Sequence, residues 1–195
     1  MDTDKHGWHK TKGKLRSEIR GVLKNVSSEK RAAASAKIRA RSKQQAFWEA
    51  AAAILFFAPL PDEVDVWPLL AEALAAGKTV ALPRFDPQRQ NYVPCRVHHL
   101  SGEIVTGQFG IREPATVCRE IPPASLDLIL VPGVAFDLGG HRLGRGKGFY
   151  DRLLAGVRGI KCGLAFDEQM VEAIPVGPHD VRMDFILTPT RLVAA

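Results

Sequence analysis

Apolar positions fall into short blocks separated by polar turns, and the blocks alternate between helical and strand-like spacing. Two cation-rich helices open the pattern. The first covers Lys14 to Lys24; Ser27, Ser28 and Glu29 begin the second, which runs through AAASAKIRARSKQQAFW. An apolar strand follows at Ala53 to Ala58, then a helix from Val66 to Ala76 stopped by Gly77, then a short strand from Thr79 to Pro83. YVPCRV and EIVTG read as short strands of a hairpin excursion near one sheet edge, because Pro94 would disturb a central ladder. The continuous apolar run from Asp127 to Pro132 suits burial on both faces and marks the strongest strand. A long loop follows it, then FYDRLLAGV at helical spacing, a strand KCGLAF, a short helix DEQMVEAI, a turn VGPHD and a last strand FILTP. The alternation predicts an α/β fold, three layers around a central sheet that is largely parallel or mixed. A single domain over residues 1–195 is expected, with residues 1–10 a flexible amino-terminal extension.

Composition narrows the partners. The 195 residues are 46% hydrophobic and 25% charged, an ordinary globular balance. Against 21 acidic residues stand 27 Lys and Arg, a net +6 that favours anionic ligands: nucleotides, polyacidic small molecules or nucleic acid. The longest apolar run, Ala50 to Leu60, is shorter than the roughly 20 residues a bilayer requires, so no membrane role is expected. The amino terminus carries positive charge but no apolar core of a secretory signal. Cys95, Cys118 and Cys162 are odd in number and far apart, which suits a reducing cytoplasm.

The candidate chemistry lies in the loop after the strongest strand. In RLGRGKGFYD, Gly144, Gly146 and Gly148 alternate with Arg145 and Lys147. Glycines let main-chain N–H groups converge on a ligand, the cations attract an anion, and the helix that begins near Gly148 adds unpaired N–H groups. The position is where open α/β sheets bind ligands, at the carboxyl end of a central strand. Two familiar phosphate motifs fail on spacing. Lys147 is followed by Gly148 instead of Ser or Thr, His141 stands where a P-loop needs glycine, and Phe149 breaks the dinucleotide fingerprint. The alternative is a solvated basic turn whose glycines serve chain reversal. Asp151 would be repelled by polyphosphate, at about 4 kcal/mol per unit charge for roughly 4 Å in a medium of effective dielectric near 20. It reads equally as a Mg²⁺ ligand that removes the repulsion or as an acid complementing a helix amino terminus. His141 adjoins the loop, either as a phosphate contact or as a solvated histidine.

Seven segments together resemble the 5-formyltetrahydrofolate cyclo-ligase family over nearly the whole chain. They are the run Lys12, Gly13, Lys14, Leu15, Arg16; DEVD at Asp62 to Asp65; LPRF at Leu82 to Phe85; FGIREP at Phe109 to Pro114; DLILVPGVAFD; RLGRGKGFYD; and HDVRMDFILTP. The resemblance implies an ATP- and Mg²⁺-dependent ligase that converts 5-formyltetrahydrofolate to 5,10-methenyltetrahydrofolate through a phosphorylated formyl group. It implies an ATP site formed by Lys12 to Arg16 together with Arg142, Leu143, Gly144, Arg145, Gly146, Lys147, Gly148, Phe149 and Tyr150. It implies catalytic roles for Arg145 and Lys147. The folate site would comprise Ala58, Glu63 and the segment from Arg145 to Tyr150, and Asp151 and Asp184 would hold the metal. Where the family commonly has two tyrosines, this chain has Phe149 and Tyr150, so one hydroxyl is missing; Phe109 stands where some members have tryptophan. The resemblance fits a cytoplasmic monomer, with a dimer as the alternative, acting on free or polyglutamylated folate. Two other readings stand beside it: a paralogue with the same nucleotide site and a thiamin-salvage role, and a nucleic-acid-binding module. The second is disfavoured because the cations cluster with glycines at one loop and form no stripe.

Overall fold

The computed structural model describes residues 5–195, with side chains from residue 11 onward. Three helices come first: α1 (Lys5–Lys24), α2 (Ser28–Lys43) and α3 (Ala46–Ala50). The rest runs β1 (Ala53–Leu55), α4 (Trp67–Ala75), β2 (Thr79–Asp86), β3 (Asn91–Val97), α5 (Leu100–Glu103), β4 (Ile104–Thr106), β5 (Arg112–Pro114), β6 (Leu128–Val131), β7 (Ala135–Asp137), β8 (Arg142–Leu143), α6 (Phe149–Ala155), β9 (Ile160–Leu164), β10 (Met170–Val171), β11 (Phe185–Leu187) and β12 (Leu192–Ala194).

Seven strands form the main sheet in the order β12-β11-β9-β6-β1-β2-β3. Its interior pairs are parallel, and only the two margins, β11 with β12 and β2 with β3, are antiparallel. Alternation along the strands sorts the core into two faces. Ile54, Val80, Leu128 and Leu130 point to the side where Ile19, Leu23, Ile38, Trp48 and Leu69 of the first four helices pack. Leu55, Ala81, Ile129 and Val131 point to the other side, against Leu153 and Leu154 of α6. Every residue of β6 is buried, as an apolar run without alternation requires for a strand covered on both faces. The expected three-layer α/β/α arrangement is therefore observed.

Several expected boundaries shift. The first helix begins at Lys5, not Lys14, because Gly13 sits within it facing open space and does not end it. The expected flexible extension is thus helical from Lys5, and residues 1–4 lie outside the described residues. The second helix stops at Lys43, where the Gln44 N–H closes on the carbonyls of Arg41 and Ser42, and α3 starts anew; Ser27 caps the helix as expected by accepting from the Lys30 N–H. The strand expected to reach Ala58 ends at Leu55; the Phe56 N–H still donates to the Ala81 carbonyl at 2.9 Å, and Phe56 to Ala58 stay buried. Pro94 lies in β3 at the sheet margin, where its missing donor breaks no interior ladder.

The expected helix DEQMVEAI is a single 3-10 turn followed by β10. The Gln169 side chain folds back to accept from the Phe166 N–H at 2.8 Å and donates to the Gly133 carbonyl at 2.7 Å. The Ile174 N–H goes to Asp137 at 2.9 Å, so the backbone donors that a helix would use are engaged elsewhere. β10 joins β7 and β8, both of which lie in the long loop after β6, in a small three-stranded sheet. Among the described residues no helix is long and apolar enough to cross a membrane, and the three cysteines are unpaired.

Candidate functional site

Between β1 and β6 the chain direction of travel across the sheet reverses: β2 follows β1 on one side, and β6 and β9 lie on the other. Segments leaving β1 and β6 therefore part, and a cleft of about 490 Å³ opens between them. Ala58, Leu60 and Glu63 come from the first segment, Pro132 and Gly133 from the second. The glycine-rich loop forms one wall, α1 another, and the β2–β3 hairpin with the β4–β5 hairpin closes the aromatic side.

The loop is held open by its own geometry. Gly146 and Gly148 take φ values of +107° and +66°, which only glycine adopts readily. A Cβ at Gly144 would lie 2.9 Å from Nη1 of Arg142, so close packing also demands glycine there. Arg142 is buried, donates from Nη2 to Asp151 Oδ1 at 2.7 Å and from Nη1 to the Pro132 carbonyl at 3.3 Å, and leaves its Nε without a partner. Arg16 reaches across from α1 and donates its Nε–H to the Gly144 carbonyl at 2.7 Å. Burial, together with the charge of Arg20, lowers the Arg16 pKa. Lys12 pairs with Asp180 at 2.5 Å. Burial opposes ionisation of Asp180, but the hydrogen bonds from Lys12 and from the Gly177 N–H outweigh it and hold its pKa below the ordinary carboxylate value.

Lys147 differs from these cations: it has no carboxylate partner among the described residues, and its Nζ sits 3.9 Å from the ring centroid of Phe109. Phe109 packs on Phe85 and Phe149, and Tyr92 bridges Phe149 and Tyr150, so a continuous aromatic wall faces the cationic loop. Burial, then the nearby Glu63 charge, pushes the Tyr150 phenol well above its usual pKa. Glu63 itself is nearly enclosed, with 8% of its side chain exposed. Its Oε2 accepts from the Leu60 N–H at 3.0 Å, and its Oε1 accepts from Nε and Nη2 of Arg145 at 3.1 and 3.0 Å. Burial raises the Glu63 pKa in spite of Arg145.

The structure gathers most of the expected site residues on this one cleft. Lys12, Arg16, Ala58, Glu63, Arg142 to Tyr150 and Asp151 all line it. Gly13 and Lys14 do not; Lys14 is exposed beside Glu18, and Leu15 packs against the core on the far side of the same helix. Asp184 is also absent from the lining. It stands before the amino-terminal end of β11, the opposite end of a parallel strand, where its carboxylate accepts from the Lys161 N–H at 2.7 Å. Asp180, four residues earlier, is the carboxylate of that segment that faces the cleft, and the turn VGPHD gave no sign of it. His141 turns away from the cleft, its Nδ1 3.0 Å from Oδ2 of the buried Asp137. Arg20 continues the helix face of Lys12 and Arg16 into the cleft, at a spacing of four that the sequence already carries.

An open, mostly parallel sheet with a glycine-walled, cation-lined cleft at its switch point defines an α/β enzyme of the doubly wound type. The model of the 5-formyltetrahydrofolate cyclo-ligase family matches residues 8–189. The chain belongs to this family. The 5-formyltetrahydrofolate cyclo-ligase of Escherichia coli (strain K12) is 36% identical over 143 residues, covering 71% of this chain and 79% of its relative. The Mus musculus protein of the same name is 30% identical over 190 residues, 89% of this chain and 91% of its own. The solution structure of Aquifex aeolicus 5,10-methenyltetrahydrofolate synthetase superimposes with a TM-score of 0.85 at 35% identity, over 94% of this chain and 92% of that one.

Proposed function

We propose that the protein converts 5-formyltetrahydrofolate to 5,10-methenyltetrahydrofolate while ATP is cleaved to ADP and phosphate. The observation that supports this most is that Arg16, Arg145 and Lys147 converge with a glycine-walled loop on a cleft that also presents an aromatic wall and the enclosed carboxylate of Glu63. A formamide oxygen is a poor leaving group. Transfer of the terminal phosphoryl group to it gives an iminium phosphate; attack of N10 on the formyl carbon then closes the ring and phosphate leaves with the oxygen. For such a step the protein supplies position and charge neutralisation.

In this reading Lys12, Arg16, Arg142 and the N–H groups of the loop hold the triphosphate, and Arg145 and Lys147 face the transferring phosphoryl group. Lys147 is the cation best placed for that, since it gives up no ion pair. Ala58, Phe149 and Tyr150 wall the pterin, and Glu63 accepts from its N–H donors. Phe149 offers its ring face without a hydroxyl. Among the described residues no group of three or more His, Cys, Asp and Glu side chains could cage a metal alone. Asp151 and Asp180 both line the cleft, and the oxygens that Arg142 and Lys12 leave open, Asp151 Oδ2 and Asp180 Oδ1, would serve Mg²⁺, which takes one or two carboxylates and completes its shell with phosphate oxygens and water. When bound, the ion would reduce the charge of the phosphates; Asp184, at the opposite end of the sheet from the cleft, is not placed to share in this.

The protein is read as a cytoplasmic monomer acting on free or polyglutamylated folate, with light scattering as the check on its mass. The decisive assay mixes purified protein with 5-formyltetrahydrofolate, ATP and Mg²⁺. Near-ultraviolet absorbance of the methenyl product should grow and should require all three; no growth across pH and metal ion refutes the reading.

A further inference from the structure

Arg145 belongs to the glycine-rich loop, yet its guanidinium is not held there. Nη2 donates to Asp62 Oδ1 at 2.6 Å and, with Nε, to Glu63 Oε1 at 3.0 and 3.1 Å, so the loop is tied to the segment that follows β1, 82 residues earlier. The partners are unequal. Asp62 is 37% exposed and Glu63 8%, so Asp62 anchors the guanidinium from solvent while Glu63 depends on it as a counter-charge inside the cleft. A carboxylate this enclosed that loses its cation is left desolvated and unpaired.

We infer that Arg145 is shared between the two halves of the cleft, so that its ion pair with Glu63 couples nucleotide binding to folate binding, with Asp62 as the positioning residue that sets the strength of the coupling. The inference rests on the proposed function. Phosphate on the loop side draws Arg145 toward itself and strips Glu63 of its counter-charge. A pterin ring on the other side offers Glu63 N–H donors in place of the guanidinium and frees Arg145. Either ligand alone breaks the same ion pair, and when both bind it is broken only once. Each ligand therefore strengthens the other, by linkage to the same factor.

The test is calorimetric titration of the β,γ-imido analogue of ATP with Mg²⁺, without and with saturating 5-formyltetrahydrofolate, and the reverse titration. Sites coupled in this way commonly reach 5- to 150-fold, and the expected result is a rise in affinity of at least about 5-fold, equal in both directions. Asp62→Asn leaves Glu63 and Arg145 in place but loosens the anchor: the analogue alone should bind more tightly than to the parent, and the coupling factor should shrink. Asp62 is half-exposed and its carboxylate is tied to Arg145 alone among the described residues, so the variant should keep the fold, which its far-ultraviolet circular dichroism checks. A factor within twofold of unity in the parent protein, or one that Asp62→Asn leaves unchanged, overturns the coupling while the proposed reaction stands. Failure of both ligands to bind overturns the proposed reaction itself, and the coupling with it.

Discussion

Arg16 donates its Nε–H to the carbonyl of Gly144, 128 residues further along the chain, at 2.7 Å. One hydrogen bond thus sets both the position of a cation and the position of the loop it serves. Hydrogen bonds to charged groups contribute about 1.5–3 kcal/mol, so Arg16→Met should lower kcat/KM for ATP by about 10-fold or more. Arg16→Lys keeps charge without the fixed Nε geometry and should fall between. Initial rates at varied ATP decide this, and equal rates for all three proteins would refute the assignment.

Lys147 and Asp151 should separate activity from stability. Lys147 is exposed and has no ion pair, and its removal loses only the contacts with the Phe109 and Phe149 rings, so Lys147→Ala should abolish most turnover while changing stability by no more than about 1 kcal/mol. Asp151 is the partner of the buried Arg142, whose Nε already lacks one. Asp151→Ala should lose turnover and also about 1.5–3 kcal/mol of stability. Urea unfolding of the two variants provides the comparison.

Two glycines of the loop should fail for different reasons. At Gly146, φ is +107° and a Cβ would meet only Arg16 atoms 3.6 Å away, so Gly146→Ala suffers from backbone strain of about 1–2 kcal/mol. At Gly144, a Cβ would press on Nη1 of Arg142 at 2.9 Å and displace its guanidinium. A double-mutant cycle with Asp151→Asn should therefore show strong coupling for Gly144→Ala and little for Gly146→Ala.

The raised pKa of Glu63 gives stability a definite pH dependence. An acid whose pKa is higher in the folded state than its ordinary 4.5 favours folding while protonated; that benefit is lost as pH rises from the ordinary value through the raised one. Glu63→Gln removes this loss. Its thermal midpoint should match the parent below about pH 4 and exceed it by a margin that grows as pH rises through the raised value and then levels, even as folate affinity falls. A gap that stays constant with pH would contradict the burial argument.

The fold was legible where apolar runs and punctuation agree. The unbroken run at β6 gave the central strand, and Pro94 marked the margin where β3 lies. The small sheet of β7, β8 and β10 was not legible, because its strands are two or three residues long and the side chains of Gln169 and Asp137 fix the chain around them. The cationic loop could be read from its residues alone, since charge and glycine coincide there. The choice between Asp180 and Asp184 could not: both follow a turn signal, and only the end of the strand at which each carboxylate lies separates them.

Lys12 meets Asp180 across 168 positions of sequence, and Arg16 meets Gly144 across 128. Contacts of such range carry the loop-closure entropy of the chain between them, which local contacts do not. A nascent chain on the ribosome therefore has no competent site until Asp180 has emerged. A nucleotide bound there would act as a staple between α1 and the distant segments it touches, slowing unfolding by strapping together parts far apart in sequence.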